Sequence, residues 1–170
     1  SHPGTRFLHQ GKFSRGLGLF HAVEFKEAAE VVDEEYPLWL TTGRSHFHFH
    51  TGTMTRNSPT LNREQPDAYV EINPEDARSI GVRDGEAVRL TTRRGTIESP
   101  ARVTDHVGNG TIFIPFHFAE SCANELTNPA LDPIAKIPEY KVCAVRLERI
   151  GAPVPEDAAT PDELPAEATT

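Results

Sequence analysis

Apolar positions along the chain fall into many short runs of strand length, punctuated by glycine, with little helix between them. Residues 38–42, after Pro37, and residues 69–72 predict two short strands. Asn73 then supplies a helix cap, Pro74 a first helical position, Glu75 and Asp76 an acidic first turn, and Gly81 a stop, so residues 74–80 predict one short helix. Asp84-Gly85 is a tight-turn signal, residues 86–92 alternate as a strand, Arg94-Gly95 turns the chain, and residues 96–104 return as the second half of a hairpin. Asn109-Gly110 marks a third turn before an apolar strand at 111–115, and residues 119–126 have room for a helical turn or two. The last strand is 141–148, with Val142, Ala144 and Arg146 on one side and Cys143, Val145 and Leu147 on the other. In residues 1–35 only 19–25 alternate, weakly, and the rest reads as an irregular arm. Strands at such intervals with glycine turns predict a small closed or nearly closed β-barrel over residues 36–150.

Composition narrows the class. Apolar residues are 37% and charged residues 25% of 170, enough for one core of ordinary domain size and too polar for a membrane protein. The longest strictly apolar run, residues 112–116, is far below spanning length. The start, Ser1-His2-Pro3, has neither an initiator Met nor a signal pattern and reads as the interior of a longer gene product or a trimmed piece of one. Cys122 and Cys143 supply neither a disulfide framework nor four cluster thiolates nor a zinc spacing, so they read as small buried hydrophobes in a reducing, cytoplasmic compartment. A formal charge of −8 excludes a general nucleic-acid binder.

That charge is unevenly placed. Residues 151–170 hold five acids, four prolines, no base and no aromatic, and read as a disordered acidic tail. Without those five acids the remainder carries −3. Within it, residues 41–63 contain Arg44, Arg56, Arg63 and three histidines but no acid, which a random window of that length would match only about 3% of the time. The window is also rich in Thr, Ser, Gly and Asn, whose exposed backbone N–H groups and hydroxyls suit an anion.

If residues 46–50 are extended, His46, His48 and His50 face one way while Phe47 and Phe49 anchor the other. Two chemistries fit such a face. One is a metal, with His117 as a fourth ligand. The other is an anion: Arg44 beside three imidazoles, with Gly43 and Gly52 allowing close backbone approach, suits a pyrophosphate or the polar edges of pterin and guanine.

Several ordered motifs carry a resemblance: Thr42-Gly43-Arg44; His50-Thr51-Gly52-Thr53-Met54-Thr55-Arg56; Phe116-His117-Phe118-Ala119; Asn124; Leu126-Thr127-Asn128-Pro129-Ala130-Leu131-Asp132-Pro133; and Lys136-Ile137-Pro138-Glu139-Tyr140-Lys141-Val142-Cys143. Over residues 36–148, and more loosely over 10–35, the chain resembles the C-terminal cofactor-binding domain of molybdopterin-dependent oxidoreductases, above all the large subunit of molybdenum or tungsten formate dehydrogenases. The resemblance implies a mainly β fold, a double-psi β-barrel with a few short helices, that holds one of two molybdopterin guanine dinucleotides. It places Thr42, Gly43, Arg44, Ser45, His46, His48, His50 and Thr51 along a first cofactor loop, Phe116, His117 and Asn124 on a second, and Tyr140 and Lys141 on a third. The metal and the 4Fe-4S cluster belong to the N-terminal catalytic part of such a subunit, so this chain is expected to bind neither and to hold no catalytic residue. Its expected partners are that catalytic part and the electron-transfer subunits, with no nucleic acid and no membrane. Two rival functions keep parts of this picture: a double-psi barrel that recognises protein segments, and a small zinc hydrolase built on the histidines. The hydrolase lacks a general base, since no Glu or Asp stands near the histidine run.

Overall fold

A computed structural model describes residue 4 and residues 6–151; the expected acidic tail lies outside the described residues beyond Gly151. Among the described residues six strands close into a barrel: β1 (Leu38–Gly43), β2 (Val70–Ile72), β3 (Ala87–Thr91), β4 (Thr96–Val103), β5 (Thr111–Pro115) and β6 (Cys143–Arg149). Two short helices accompany them, α1 (Pro59–Glu64) and α2 (Pro74–Ile80). Around the barrel the order is β1, β5, β2, β4, β3, β6. β1 runs parallel to β5 and β2 parallel to β4, while the other neighbours are antiparallel. The fold is a mainly β double-psi barrel with few short helices, and closure leaves no strand edge unpaired.

Alternation decides which side chains fill it. Along β4, Ile97, Ser99 and Ala101 are buried while Thr96, Glu98 and Pro100 are exposed, and Glu98 turns outward onto Arg89 of β3 at 2.8 Å. Leu40, Val70, Ile72, Val88, Leu90, Ile112, Ile114, Leu126 and Val145 form the centre of the core with Cys143, whose thiol burial pushes to a higher pKa. On β6 the Cys143, Val145 and Leu147 face points inward as its alternation requires, yet Ala144 is buried too. Ala144 lies under the arm, its N–H donating to Glu30 at 2.8 Å.

The helix α2 forms on its own local signals. The Asn73 side chain accepts from the Glu75 N–H at 2.9 Å, Pro74 occupies the first turn, and Gly81 ends the helix at φ +73°. Asn73 also donates to the Val107 carbonyl at 2.9 Å, tying the helix to the turn before β5. Asn73→Ala is therefore expected to cost about 1–2 kcal/mol, read as a lower urea midpoint at unchanged slope.

Two expectations need correction. Residues 19–25 form no strand: the closed barrel offers no edge for one to join, and Leu19, Phe20, Val23 and Phe25 are exposed. The helix α1, with the 3-10 turn Thr55–Asn57 before it, was not foreseen in the sequence; neither element buries a residue, so neither has an apolar period to read.

Candidate functional site

The topology gathers three loops at one end of the barrel. β1 and β5 are parallel with Gly43 opposite Pro115, so the segments leaving them, residues 44–54 and 116–126, depart side by side. β6 lies antiparallel to β1 on its other side with Leu40 opposite Cys143, which brings the segment entering β6 back to the same end. The Thr42 hydroxyl accordingly donates to the Tyr140 carbonyl at 2.7 Å. Gly43 leaves room there for the Phe113 ring, which a Cβ at 2.6 Å would have to displace.

His117 joins the first loop to the second. The Ser45 N–H donates to its Nε2 at 2.7 Å, and its Nδ1 meets the His50 carbonyl. An amide N–H can only donate and a carbonyl can only accept, so His117 is the neutral tautomer with its proton on Nδ1. Burial lowers its pKa, and Arg44, His48 and His50 add to the cost of protonating it. His48 is fixed as tightly: Nε2 donates to the Gln65 carbonyl at 2.7 Å, and Nδ1 accepts from the Thr55 hydroxyl at 3.1 Å. That hydroxyl in turn accepts from the Phe49 N–H at 3.2 Å. Arg56 closes the frame with two 2.8 Å bonds to the Glu120 carboxylate across the loops, its guanidinium 5.0 Å from the Phe118 ring.

Residues 46–50 are therefore not extended, and the expected split into an imidazole face and a phenylalanine face does not occur. His48 is buried, Phe49 is 51% exposed, and His46 and His50 are exposed. The chain cannot hold a period of two because His50 stands at φ +48° and Gly52 at φ +73°. The left-handed His50 costs about 1–2 kcal/mol, held by the bond from its carbonyl to His117. Gly52 has no substitute, since a Cβ there would lie 2.9 Å from the His117 carbonyl oxygen. The metal-ligand alternative fails on the same geometry. His48 and His117 have both ring nitrogens committed within the protein, and among the described residues no group of three His, Cys, Asp or Glu side chains is placed to hold a metal ion.

The outward face of this frame is cationic. Arg44 is exposed, stands over the Phe49 ring at 5.5 Å and 3.4 Å from His50 Nε2, and has no carboxylate partner among the described residues. Lys141 is exposed over Tyr140, whose ring meets Phe116 edge-on at 6.2 Å. Thr51 is exposed on the turn. Asn124 lies apart, exposed in the 3-10 turn Ala123–Glu125, and no hydrogen bond joins its side chain to the first or third loop. Of the expected site residues, then, Thr42, Gly43, Ser45, His48, His50, Phe116, His117 and Tyr140 are brought together, with Arg44, His46, Thr51 and Lys141 on the exposed side. Thr55, Arg56, Gln65, Glu120 and Asn128 carry the loops without having been singled out as site residues. Asn128 is buried and donates to the Val142 carbonyl at 2.7 Å while its own oxygen accepts from Ala130, the local turn that an Asn-Pro pair announces.

Residues 38–144 match the family model described as the molydopterin dinucleotide binding domain. The chain belongs to that family. Among curated relatives, the F420-dependent formate dehydrogenase 2 subunit alpha of Methanococcus maripaludis is 51% identical over 150 residues, covering 87% of this chain and 22% of its own length. The F420-dependent formate dehydrogenase subunit alpha of Methanocaldococcus jannaschii is 49% identical over 152 residues, covering 88% of this chain and 23% of its own length. This molydopterin dinucleotide binding domain thus spans under a quarter of the curated relatives it matches. Among solved structures, acetylene hydratase from Pelobacter acetylenicus superposes with a TM-score of 0.60 at 21% identity, over 69% of this chain and 19% of that one, a likeness of fold.

The residues present fit the cofactor in the family's name. The Ser45 hydroxyl is buried with no hydrogen-bond partner among the described residues, an orphan that a ligand atom at the loop would satisfy. Around it stand an arginine without a carboxylate and a loop without acids, as a dinucleotide's pyrophosphate requires.

Proposed function

We propose that this chain is the domain that closes over one molybdopterin guanine dinucleotide in the alpha subunit of a molybdenum or tungsten formate dehydrogenase. The observation that carries this is the acid-free first loop, held by His48, His117 and Arg56 so that, among the described residues, Arg44 has no partner carboxylate and the Ser45 hydroxyl no hydrogen bond. Arg44 binds phosphate oxygens as a planar fork, Lys141 adds a point charge, and Ser45, His46, His50 and Thr51 supply hydroxyl, imidazole and backbone partners for the pterin and nucleotide edges. Phe116 and Tyr140 wall the site and exclude water. His48 and His117 act behind this face, holding the loop. Asn124 stands at the margin, where its exposed amide suits the far end of a long ligand. The bound group supplies the redox-active metal at which formate gives up a proton and two electrons to become carbon dioxide.

The reading extends to partners and compartment. Phe7, Leu8, Leu17, Leu19, Phe20 and Phe25 of the arm are all more than half exposed, which supports coverage by further polypeptide, namely the catalytic part of the same subunit, with electron-transfer subunits beyond it. No helix among the described residues is long and apolar enough to cross a membrane, and both cysteines are free, which supports a reducing cytoplasmic setting. Acid treatment of the full-length subunit is expected to release a guanine nucleotide. This chain alone, given formate and an electron acceptor, is expected to turn nothing over; measurable turnover by the pure chain would contradict the assignment.

A further inference from the structure

His117 is 1% exposed and makes two bonds of opposite polarity to one loop, accepting from the Ser45 N–H and donating to the His50 carbonyl. Those two atoms bracket the stretch that includes His46 and the left-handed His50, so a single side chain on the second loop fixes both ends of a turn on the first. The imidazole can do this only while it is neutral. With a second proton, Nε2 becomes a donor facing the Ser45 N–H, two donors meet, and a buried amide loses its acceptor. We propose that His117 is a positioning residue, a neutral latch that shapes residues 45–50 for the dinucleotide, and that its protonation releases this turn and with it the cofactor. The coupling to the dinucleotide rests on the function proposed above; the latch itself does not.

The surroundings favour a latch over an ordinary buried histidine. The titratable and charged groups that bear on the ring are His48, at 5.6 Å between centroids, His50 and Arg44, all basic. Of the two carboxylates on its own loop, Glu120 is committed to Arg56 and Glu125 is exposed. Phe116 and Phe118 flank it with apolar surface. Desolvation opposes the imidazolium and outweighs the bond to the His50 carbonyl, which favours it, and the neighbouring cations add to the cost, so the His117 pKa is lowered. The direction of the pH effect follows. A histidine whose folded pKa lies below its unfolded value of about 6.5 leaves stability intact above that pH, and the loss grows as pH falls from about 6.5 through the folded pKa. Cofactor retention is therefore flat above neutrality and weakens in mild acid.

Nitrogen-15 spectra of the full 170-residue chain test the latch directly. The expected result is a proton on Nδ1 at pH 7.5 and a His117 titration below the ordinary imidazole range, with protection of the Ser45 amide falling about tenfold per pH unit beneath it. A proton on Nε2, or Ser45 protection indifferent to the titration, would overturn the latch. The coupling is tested on the full-length subunit by measuring bound guanine nucleotide after dialysis between pH 5 and 8. Wild type is expected to lose nucleotide towards pH 5. H117Q keeps an acceptor and a donor across one carbon and cannot titrate, so it is expected to remove that acid-dependent loss whatever its occupancy at pH 7.5. H117F, which offers neither, is expected to retain little nucleotide at any pH. The same acid loss in H117Q as in wild type would overturn the coupling. Absence of guanine nucleotide from the wild-type subunit at every pH would instead overturn the functional reading and leave the spectroscopic result standing.

Discussion

Glu30→Ala is expected to lower the unfolding free energy by about 3 kcal/mol, the largest stability loss of any single change in the arm. Glu30 is one of the few arm side chains that are nearly buried, at 11% exposure, and it is bonded on every side. It meets Arg94 Nη1, accepts from Arg94 Nη2 at 3.2 Å, pairs with Arg93 at 3.2 Å and takes the Ala144 N–H at 2.8 Å. Arg94 in turn donates to the Leu126 carbonyl at 2.7 Å, so the carboxylate ties the arm, the β3–β4 turn, the second loop and β6 into one joint. Truncating it leaves the Ala144 N–H without its acceptor and Arg94, a largely buried cation, with only the Leu126 carbonyl, while Arg93 keeps Asp33. That penalty exceeds the loss of an exposed ion pair, whose worth is about 0–1 kcal/mol. The partial exposure of Arg93 keeps the loss at the lower end of the range for buried pairs. At the size of this chain the change corresponds to a fall in melting temperature of about 6–12 °C, measurable by calorimetry. Glu30→Gln, which keeps an oxygen but turns an NH2 towards arginine, should fall between. A loss below about 1 kcal/mol for the alanine variant would show that the arm is not held at this joint.

The joint also shows what a sequence can and cannot disclose. Helix α2 was legible because its cap, its proline and its left-handed glycine all act within nine residues of one another. The strands 96–104 and 111–115 were legible for a similar reason: alternation or a short apolar run between turn signals reflects burial on a pleated sheet. Glu30 gives no such signal, since its bond to Ala144 spans 114 positions and any glutamate in a polar stretch looks alike. The histidine run misled because alternation predicts a strand only where a ladder partner exists. Here the backbone polar groups of residues 45–50 go instead to His117 and Thr55, and the turn is set from 72 positions away. What survived was the inventory of residue types. The absence of acids between residues 41 and 63 does not depend on which way any side chain points, and it still marks the cationic face that the folded loops present.

From that face comes the second large effect: Arg44→Glu in the full-length subunit is expected to reduce retained guanine nucleotide by about a hundredfold in affinity. A pyrophosphate brings about two negative charges to a chain whose formal charge is already −8, so binding depends on local cations outweighing the distant repulsion, which salt screens beyond about 8–10 Å. Arg44 is suited to that task because it has no acid to satisfy. The other arginines of the same stretch, Arg56 and Arg63, are each within reach of a carboxylate, Glu120 at 2.8 Å and Glu64 at 3.4 Å. A charge-assisted bond to phosphate contributes about 1.5–3 kcal/mol, and replacing its donor by a carboxylate adds repulsion, which together give the hundredfold figure at about 1.4 kcal/mol per decade. Arg44→Lys keeps the charge but loses the fork and the stacking over Phe49, so it should cost about tenfold. The two variants separate charge from geometry through salt: the lysine form should still release nucleotide as ionic strength rises, whereas in the glutamate form the attraction of Lys141 and the new repulsion oppose each other, so its response should be much smaller. Nucleotide per protein after reconstitution and dialysis at low and high salt is the measurement. Full occupancy in Arg44→Glu would remove the anion-binding role of the first loop and move the task to Lys141 and the loop backbone.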